Sequence, residues 1–390
     1  MRILHLCLAA TYVDRYGYQE NILPRAHKAA GHVVMILAST ESIEAGKGHV
    51  YLPPSDYLNE DGIPVRRLPY TRWLPASVAR KVRAYRGVGR TLEEFRPDVL
   101  FMHDAQTEAV RQVCRYCREH PQTRLYIDSH TDFVNSARGW FSRTLLHGIL
   151  YRIYVQRTIP YARRYYGTLP ARVAFYRDFY GTPASRTTYL PLGVDDVSVP
   201  RENFEEIRRE SRKNFGFKDG DFVIVTGGKI EKRKNTLALM EAFRMLSADH
   251  PNARLLIFGE PDGATAGEFR RLAEATPGIV TAGWIPASET SRCLLAGDLA
   301  CFPGTHSTLW EESAGYGLPG LYRRWEGMDH IDLGGNARFL DGDAGAGQIH
   351  KALCMIMDDP GVFKAMKEAA RKLGPDFFSY SRIARDAISK

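Results

Sequence analysis

Two stretches of the carboxyl-terminal half combine residue types suited to an anionic, hydroxyl-rich ligand. In Gly227-Gly228-Lys229-Ile230-Glu231-Lys232-Arg233-Lys234-Asn235, two lysines flank a turn and can close on a diphosphate from both sides. Asn235 is the expected N-cap of a helix, whose first backbone N–H groups are unpaired and favour an anion. The plainer reading, that Lys232, Arg233 and Lys234 form a solvated loop, is equally compatible with this stretch alone. The second stretch, Phe302-Pro303-Gly304-Thr305-His306-Ser307-Thr308-Leu309-Trp310-Glu311-Glu312, leads into Ser313-Ala314-Gly315-Tyr316-Gly317-Leu318-Pro319. Here the amides of Ser307, Thr308 and Leu309 open a helical pattern, and a carboxylate such as Glu312 can accept from two vicinal hydroxyls. Thr308-x-x-Glu311 has the form of a capping box, so Glu311 is expected to fold back on the helix start. Adjacent helical residues diverge by about 100°, which leaves Glu312 to face the ligand.

The amino-terminal half offers His130 and Asp132, just past an apolar run in Arg124-Leu125-Tyr126-Ile127-Asp128-Ser129-His130-Thr131-Asp132. His130 can hydrogen-bond a hydroxylated ligand, and Asp132 can orient it or take a proton. A buried structural Asp-His network is the competing reading, and His103-Asp104 is a weaker rival for the same role. Six cysteines scattered over 390 residues do not form a disulfide framework, and the C-x-x-C of Cys114 and Cys117 has no second pair to make a zinc site. No convincing D-x-D appears either, since Asp341-Gly342-Asp343 falls in a late loop, so no metal is expected.

These residues must be placed by something, and the pattern around them is βα alternation. Ile3–Ala9, Val33–Ala38, Val99–Met102 and Leu125–Ile127 read as strands. Helical patterns lie around Glu20–Ala30, Ser77–Phe95 and Ala105–Glu119. An arginine- and tyrosine-rich segment from Trp140 to Tyr166 interrupts the rhythm, and the charged stretch Arg201–Lys218 follows. From Phe222 the alternation resumes, with strands at Phe222–Thr226, Ala253–Phe258, Ile279–Ala282 and Leu299–Phe302. The result is an α/β chain of two domains with parallel sheets, expected to divide into 1–198 and 199–375, with a terminal helix near 376–390 packing back on the first. Both basic and carboxylate motifs then fall at the carboxyl edge of the second sheet, where open α/β folds bind ligands.

Gly228-Lys229-Ile230-Glu231-Lys232-Arg233-Lys234-Asn235 resembles the G-R-L-x-x-x-K-G element of glycosyltransferase family 4, with lysine for arginine and asparagine for glycine. Glu312-Ser313-Ala314-Gly315-Tyr316-Gly317-Leu318-Pro319 is similar to that family's E-A-M-A-x-G-x-P. The resemblance implies a GT-B fold, two Rossmann-like domains facing across a cleft, and a retaining transfer from a nucleotide-diphosphate sugar (UDP- or GDP-linked). It assigns the diphosphate to Lys229 and Lys234, the ribose to Glu312, and the base to the segment holding Trp284 and Ile285. His130 resembles the family's amino-terminal histidine near the transferred sugar, and Gly17 is what remains of its Gly-Gly loop. The pattern's other glutamate, eight residues before Glu312, is replaced by Gly304, which makes His306 the candidate for the sugar contact.

The implied partner is a glycan or polyprenyl-linked acceptor in cell-surface polysaccharide biosynthesis, in the cytoplasm or at the inner membrane face. A net charge of +8 suits acidic partners in general. The segment Arg138–Arg164 is a candidate peripheral membrane contact, and nucleic acid is not expected. Two alternatives remain open: a nucleotide-sugar epimerase or hydrolase of the same fold, and a basic membrane- or nucleic-acid-binding protein.

Overall fold

The computed structural model describes residues 1–44, 48–133, 136, 139–140 and 142–389, so Arg138 of the basic segment lies outside the described residues. It contains two compact units, Met1–Pro191 with Ile383–Lys390, and Leu192–Arg382.

The strands of the first unit are β1 (Arg2–Cys7), β2 (Val33–Ser39), β3 (Glu41–Glu44), β4 (Gly48–Tyr51), β5 (Ser55–Leu58), β6 (Pro64–Leu68), β7 (Val99–His103), β8 (Arg124–Ser129), β9 (Ala162–Gly167) and β10 (Thr187–Tyr189). Eight form one sheet in the order β10-β9-β8-β7-β1-β2-β6-β5, and β3-β4 is a separate antiparallel two-stranded sheet. All neighbours in that sheet are parallel except the edge pair β5-β6. Near-continuous apolar runs such as Val99–Met102 are what a parallel sheet covered on both faces requires.

Two expectations fail here for local reasons. The pattern Ser77–Phe95 is two helices, Ala76–Val82 and Val88–Phe95, because Arg83 (φ 51°) and Gly87 (φ 96°) turn left-handed between them. The tyrosine- and arginine-rich segment does not end the βα rhythm: its last part is β9, with Tyr165 and Tyr166 buried. Their hydroxyls are paired, Tyr165 with Thr158 Oγ1 at 2.7 Å and Tyr166 donating to Ala387 O at 3.1 Å. The terminal helix Tyr380–Ser389 supplies that carbonyl, and Ala384 and Ile388 O accept from His27 and Tyr126.

The second unit has one sheet of β11 (Phe222–Gly227), β12 (Ala253–Phe258), β13 (Ile279–Gly283), β14 (Leu299–Phe302), β15 (Gly320–Arg323) and β16 (Ala337–Leu340). It is wholly parallel, in the order β13-β12-β11-β14-β15-β16, so the chain switches direction at β11. The charged stretch Arg201–Lys218 contains the helix Phe204–Asn214, and two of its arginines are structural. Arg208 and Arg212 donate to the two oxygens of Asp298 at 2.6 and 3.1 Å, and Asp298 also accepts from Val223 N–H, pinning the helix to the start of β11.

Candidate functional site

At the carboxyl edge of the second sheet, the turns after β11, β12, β13 and β14 lie side by side, because those four strands are parallel neighbours. Glycine makes the close approach possible: a Cβ on Gly259 (φ 109°) would stand 2.0 Å from Gly228 O. Gly304 is tighter in a different way. A Cβ there would meet the Lys234 backbone at 2.3 Å, so no side chain fits at the position where the family pattern has glutamate.

Lys234 ties the two motifs together. Its Nζ donates to Thr305 O at 3.0 Å and to His306 O at 2.9 Å, and Thr305 N–H donates to Arg233 O. Burial, with Arg233 nearby, lowers its pKa to about 8. Lys229 is exposed in the turn following β11. Asn235 occupies the N-cap of helix Thr236–Asp249, as expected, but its side chain does not cap. It adopts φ 59°, a left-handed conformation asparagine tolerates, and Nδ2 donates to Ala344 O at 2.8 Å.

The capping-box reading of Glu311 is corrected by the structure. Thr308 is the N-cap of helix Leu309–Gly315 and makes no side-chain cap bond, while the Glu311 carboxylate is fully buried. His306 Nε2 and His330 Nε2 donate to the same oxygen, Oε1, at 2.8 and 2.7 Å. Burial alone would raise the Glu311 carboxyl, but the histidines outweigh it and hold the pKa at about 2. The Glu312 carboxylate takes a hydrogen bond from Thr308. Desolvation, then Glu311 and Asp195, push its pKa up to about 8. Ser307 and Thr308 are half-buried and Leu309 is buried. Trp284 follows β13 with 63% of its surface exposed, and Ile285 packs on the core.

In the first unit, His130 is half-buried directly after β8. Asp132 is buried and ion-paired with Arg172, whose Nε lies 3.0 Å from Oδ2. Gly17 immediately precedes Tyr18, the N-cap of helix Gln19–Ala29. The rival His103-Asp104 is buried framework. Asp104 accepts from Thr131 Oγ1 and Tyr176 OH at 2.9 Å each. His103 joins a line of rings in which its Nε2 is 3.0 Å from His5 Nδ1, and His5 Nε2 is 3.0 Å from His27 Nδ1.

Sequence reasoning missed the part played by the loop 324–336. Trp325 Nε1 donates to Gly304 O at 3.1 Å, and His330 reaches Glu311, so this loop is fastened to the turn after β14. A tryptophan and a histidine in a polar loop after β15 were the only available signal.

Residues 23–193 match a family described as a glycosyl transferase 4-like domain, and residues 207–319 match one described as glycosyl transferases group 1. A comparison with curated proteins gave no significant match. Among solved structures, the chain is similar to Anabaena HepE in complex with UDP, with TM-score 0.68 and 14% identity over 100% of this chain and 99% of that one. It is similar to WaaG, a glycosyltransferase involved in lipopolysaccharide biosynthesis, at TM-score 0.65 and 16% identity over 100% of both chains. UDP-GlcNAc 2-epimerase from Neisseria meningitidis, bound to UDP-GlcNAc, aligns at TM-score 0.63 and 10% identity over 100% of this chain and 99% of that one. At such identities the likeness is one of fold, whereas the two family matches cover most of the sequence. The chain belongs to the GT-B glycosyltransferases of the family 4 type.

Proposed function

We propose that the protein is a retaining glycosyltransferase that moves a sugar from a UDP- or GDP-sugar to a glycan or polyprenyl-linked acceptor in cell-surface polysaccharide biosynthesis. The observation that carries this reading is the lacing of the two motif turns by Lys234 at the carboxyl edge of the second sheet. An ammonium has three protons, and Lys234 commits two of them to carbonyls, which leaves one for a diphosphate oxygen. Lys229 and the amides of Ser307, Thr308 and Leu309 add positive charge where leaving-group charge develops, so they stabilise the transition state. In this reading Glu312 takes the ribose, and Trp284 and Ile285 meet the base. His306 remains the candidate for the sugar contact through the part of its ring not turned to Glu311, and the first unit binds acceptor through His130 and the segment at Gly17. HepE was solved with UDP and WaaG acts in lipopolysaccharide biosynthesis, which supports a nucleotide donor and a surface-glycan product.

A membrane-facing role is supported by the helices Ser142–Tyr151 and Arg152–Thr158. Trp140, Leu145, Ile149 and Ile153 are exposed there, interleaved with exposed Arg143, Arg152 and Arg157. No helix among the described residues is long and apolar enough to cross a membrane. Flotation with anionic vesicles at low salt is expected to carry the protein upward, and a protein left at the bottom removes this part of the reading.

Thermal-shift screening of nucleotide sugars identifies the donor, because a ligand that binds only the folded state stabilises it. Acceptor assays with that donor then test transfer. The fold also serves the Neisseria epimerase, so conversion of the nucleotide sugar alone, without an acceptor product, overturns the transferase assignment.

A further inference from the structure

We propose that His306, Glu311 and His330 form a divalent transition-metal site of the zinc type, which clamps the loop 324–336 onto the turn after β14. The three side chains come from separate segments, the turn, the helix Leu309–Gly315 and the loop, yet their ligating atoms all lie within 4.8 Å of one another. Both imidazoles present Nε2 to one point, Glu311 Oε1. A second observation points to a ligand there: Glu311 Oε2 is buried and has no hydrogen-bond partner. An ionised carboxylate that crowds two donors on one oxygen and leaves the other dry is poorly satisfied by protein alone.

Two neutral imidazoles and a carboxylate are the donor set zinc prefers, with ligand distances of about 2.0–2.2 Å. A cation replaces the two shared protons and asks each ring to draw back by a few tenths of an ångström, about what the change from hydrogen-bond to metal-bridged spacing requires. The surrounding bonds hold the ligands as an outer shell does: Lys234 fixes the His306 backbone, and Trp325 fixes the loop through Gly304 O. The loop itself has no strand or helix between β15 and β16, and such a segment inside a compact unit calls for a fastening. The sequence-based expectation of no metal rested on the lack of a D-x-D, a pattern blind to ligands at 306, 311 and 330. A second cluster, His250, Cys354 and Asp358, lies nearer the surface, with His250 Nε2 3.3 Å from Asp358 Oδ1, and it serves as the control.

The test reads metal, not transfer, so it stands apart from the donor assignment. The full chain is stripped with a chelator, dialysed and titrated with Zn²⁺, with retained metal measured by mass spectrometry and Co²⁺ used as an optical substitute. The expected result is one equivalent retained per chain, the visible absorption of low-coordinate Co²⁺, and a raised Tm with Zn²⁺. Glu311→Gln and His330→Gln should lose the equivalent, and His250→Gln should keep it. A wild-type chain that retains no metal and gives no such Co²⁺ spectrum overturns the proposal. So does binding that survives both Glu311→Gln and His330→Gln, and because the wild-type arm alone can refute it, a variant that fails to fold does not shelter it.

Discussion

The buried histidines of the first unit make acid sensitivity a quantitative expectation. His27 Nε2 donates to Ala384 O at 2.9 Å, which fixes its tautomer and leaves Nδ1 to accept from His5 Nε2. The same constraint passes to His103 Nε2, which must donate to His5 Nδ1. Only His103, whose Nδ1 is 3.0 Å from Asp128 Oδ2, is placed to hold an extra proton. Burial lowers His27 to about 3, helped by His32 and His103 against the Ala384 carbonyl, whereas Asp128 and Glu20 raise His103 despite burial. Because the folded pKa of His27 is below the unfolded value of 6.5, its contribution is present above pH 6.5 and is lost as pH falls from 6.5 toward 3. The loss approaches about 1.4 kcal/mol per pH unit and reaches about 2 kcal/mol at pH 5. His5 is lowered as well and adds in the same direction, while His103 has the opposite sign, so the wild-type slope is a sum. His27→Gln isolates one member, since the amide can donate to Ala384 O and accept from His5 but does not titrate. Urea unfolding at a series of pH values, followed by a probe in the first unit, should give the variant a slope shallower by about 1.4 kcal/mol per unit between pH 5.5 and 4. Parallel curves for the two proteins would refute the tautomer chain.

Gly304→Ala should destabilise the second unit by about 1–3 kcal/mol, because the new methyl group meets Lys234 backbone that cannot move aside; a melting curve superposing on wild type would contradict this. Lys229→Ala should weaken nucleoside-diphosphate binding by about 1.5–3 kcal/mol, the value of a hydrogen bond to a charged group, while leaving Tm near wild type. Calorimetric titration with UDP and GDP measures it, and equal affinities would remove Lys229 from the diphosphate. Glu312→Ala should weaken binding of the nucleoside as well as the diphosphate, whereas Lys229→Ala should spare the nucleoside; the reverse pattern exchanges their roles. Tyr126→Phe loses the bond to Ile388 O, at about 0.5–1.5 kcal/mol, and hydrogen exchange in the terminal helix should accelerate accordingly.

Much of the fold is legible because parallel strands announce themselves as apolar runs. Val99–His103 and Phe222–Gly227 were found within a residue or two for that reason. β9 was hidden by its own tyrosines and arginines, whose polar ends mask rings that are buried in the sheet. β15 and β16 escape notice because neither four-residue strand is a continuous apolar run like Leu299–Phe302: Gly320 and Arg323 bracket Leu321-Tyr322, and Arg338 interrupts Ala337–Leu340. At the site, Lys229, Lys234 and Glu312 could be named from spacing, since each lies within a contiguous motif. The environment of Glu311 could not: local spacing favours a cap, while the histidines that claim it include one 19 residues away, a separation no motif encodes. Gly304 looked like a missing residue, and only the backbone of Lys234 packed against it explains why nothing larger stands there.

The carbonyls of Ala384, Ala387 and Ile388 carry a consequence for how the protein is made. His27 waits for an acceptor 357 positions downstream, and Tyr126 for one 262 positions downstream. A ribosome therefore delivers the whole of the second unit before it delivers the segment that finishes the first. Through that interval the first unit's histidine line and two of its tyrosine hydroxyls stand unsealed, exposed to chaperones and to wrong partners. The second unit, whose sheet closes on residues 222–340, can mature in the meantime, so the part of the chain synthesised first is the part completed last.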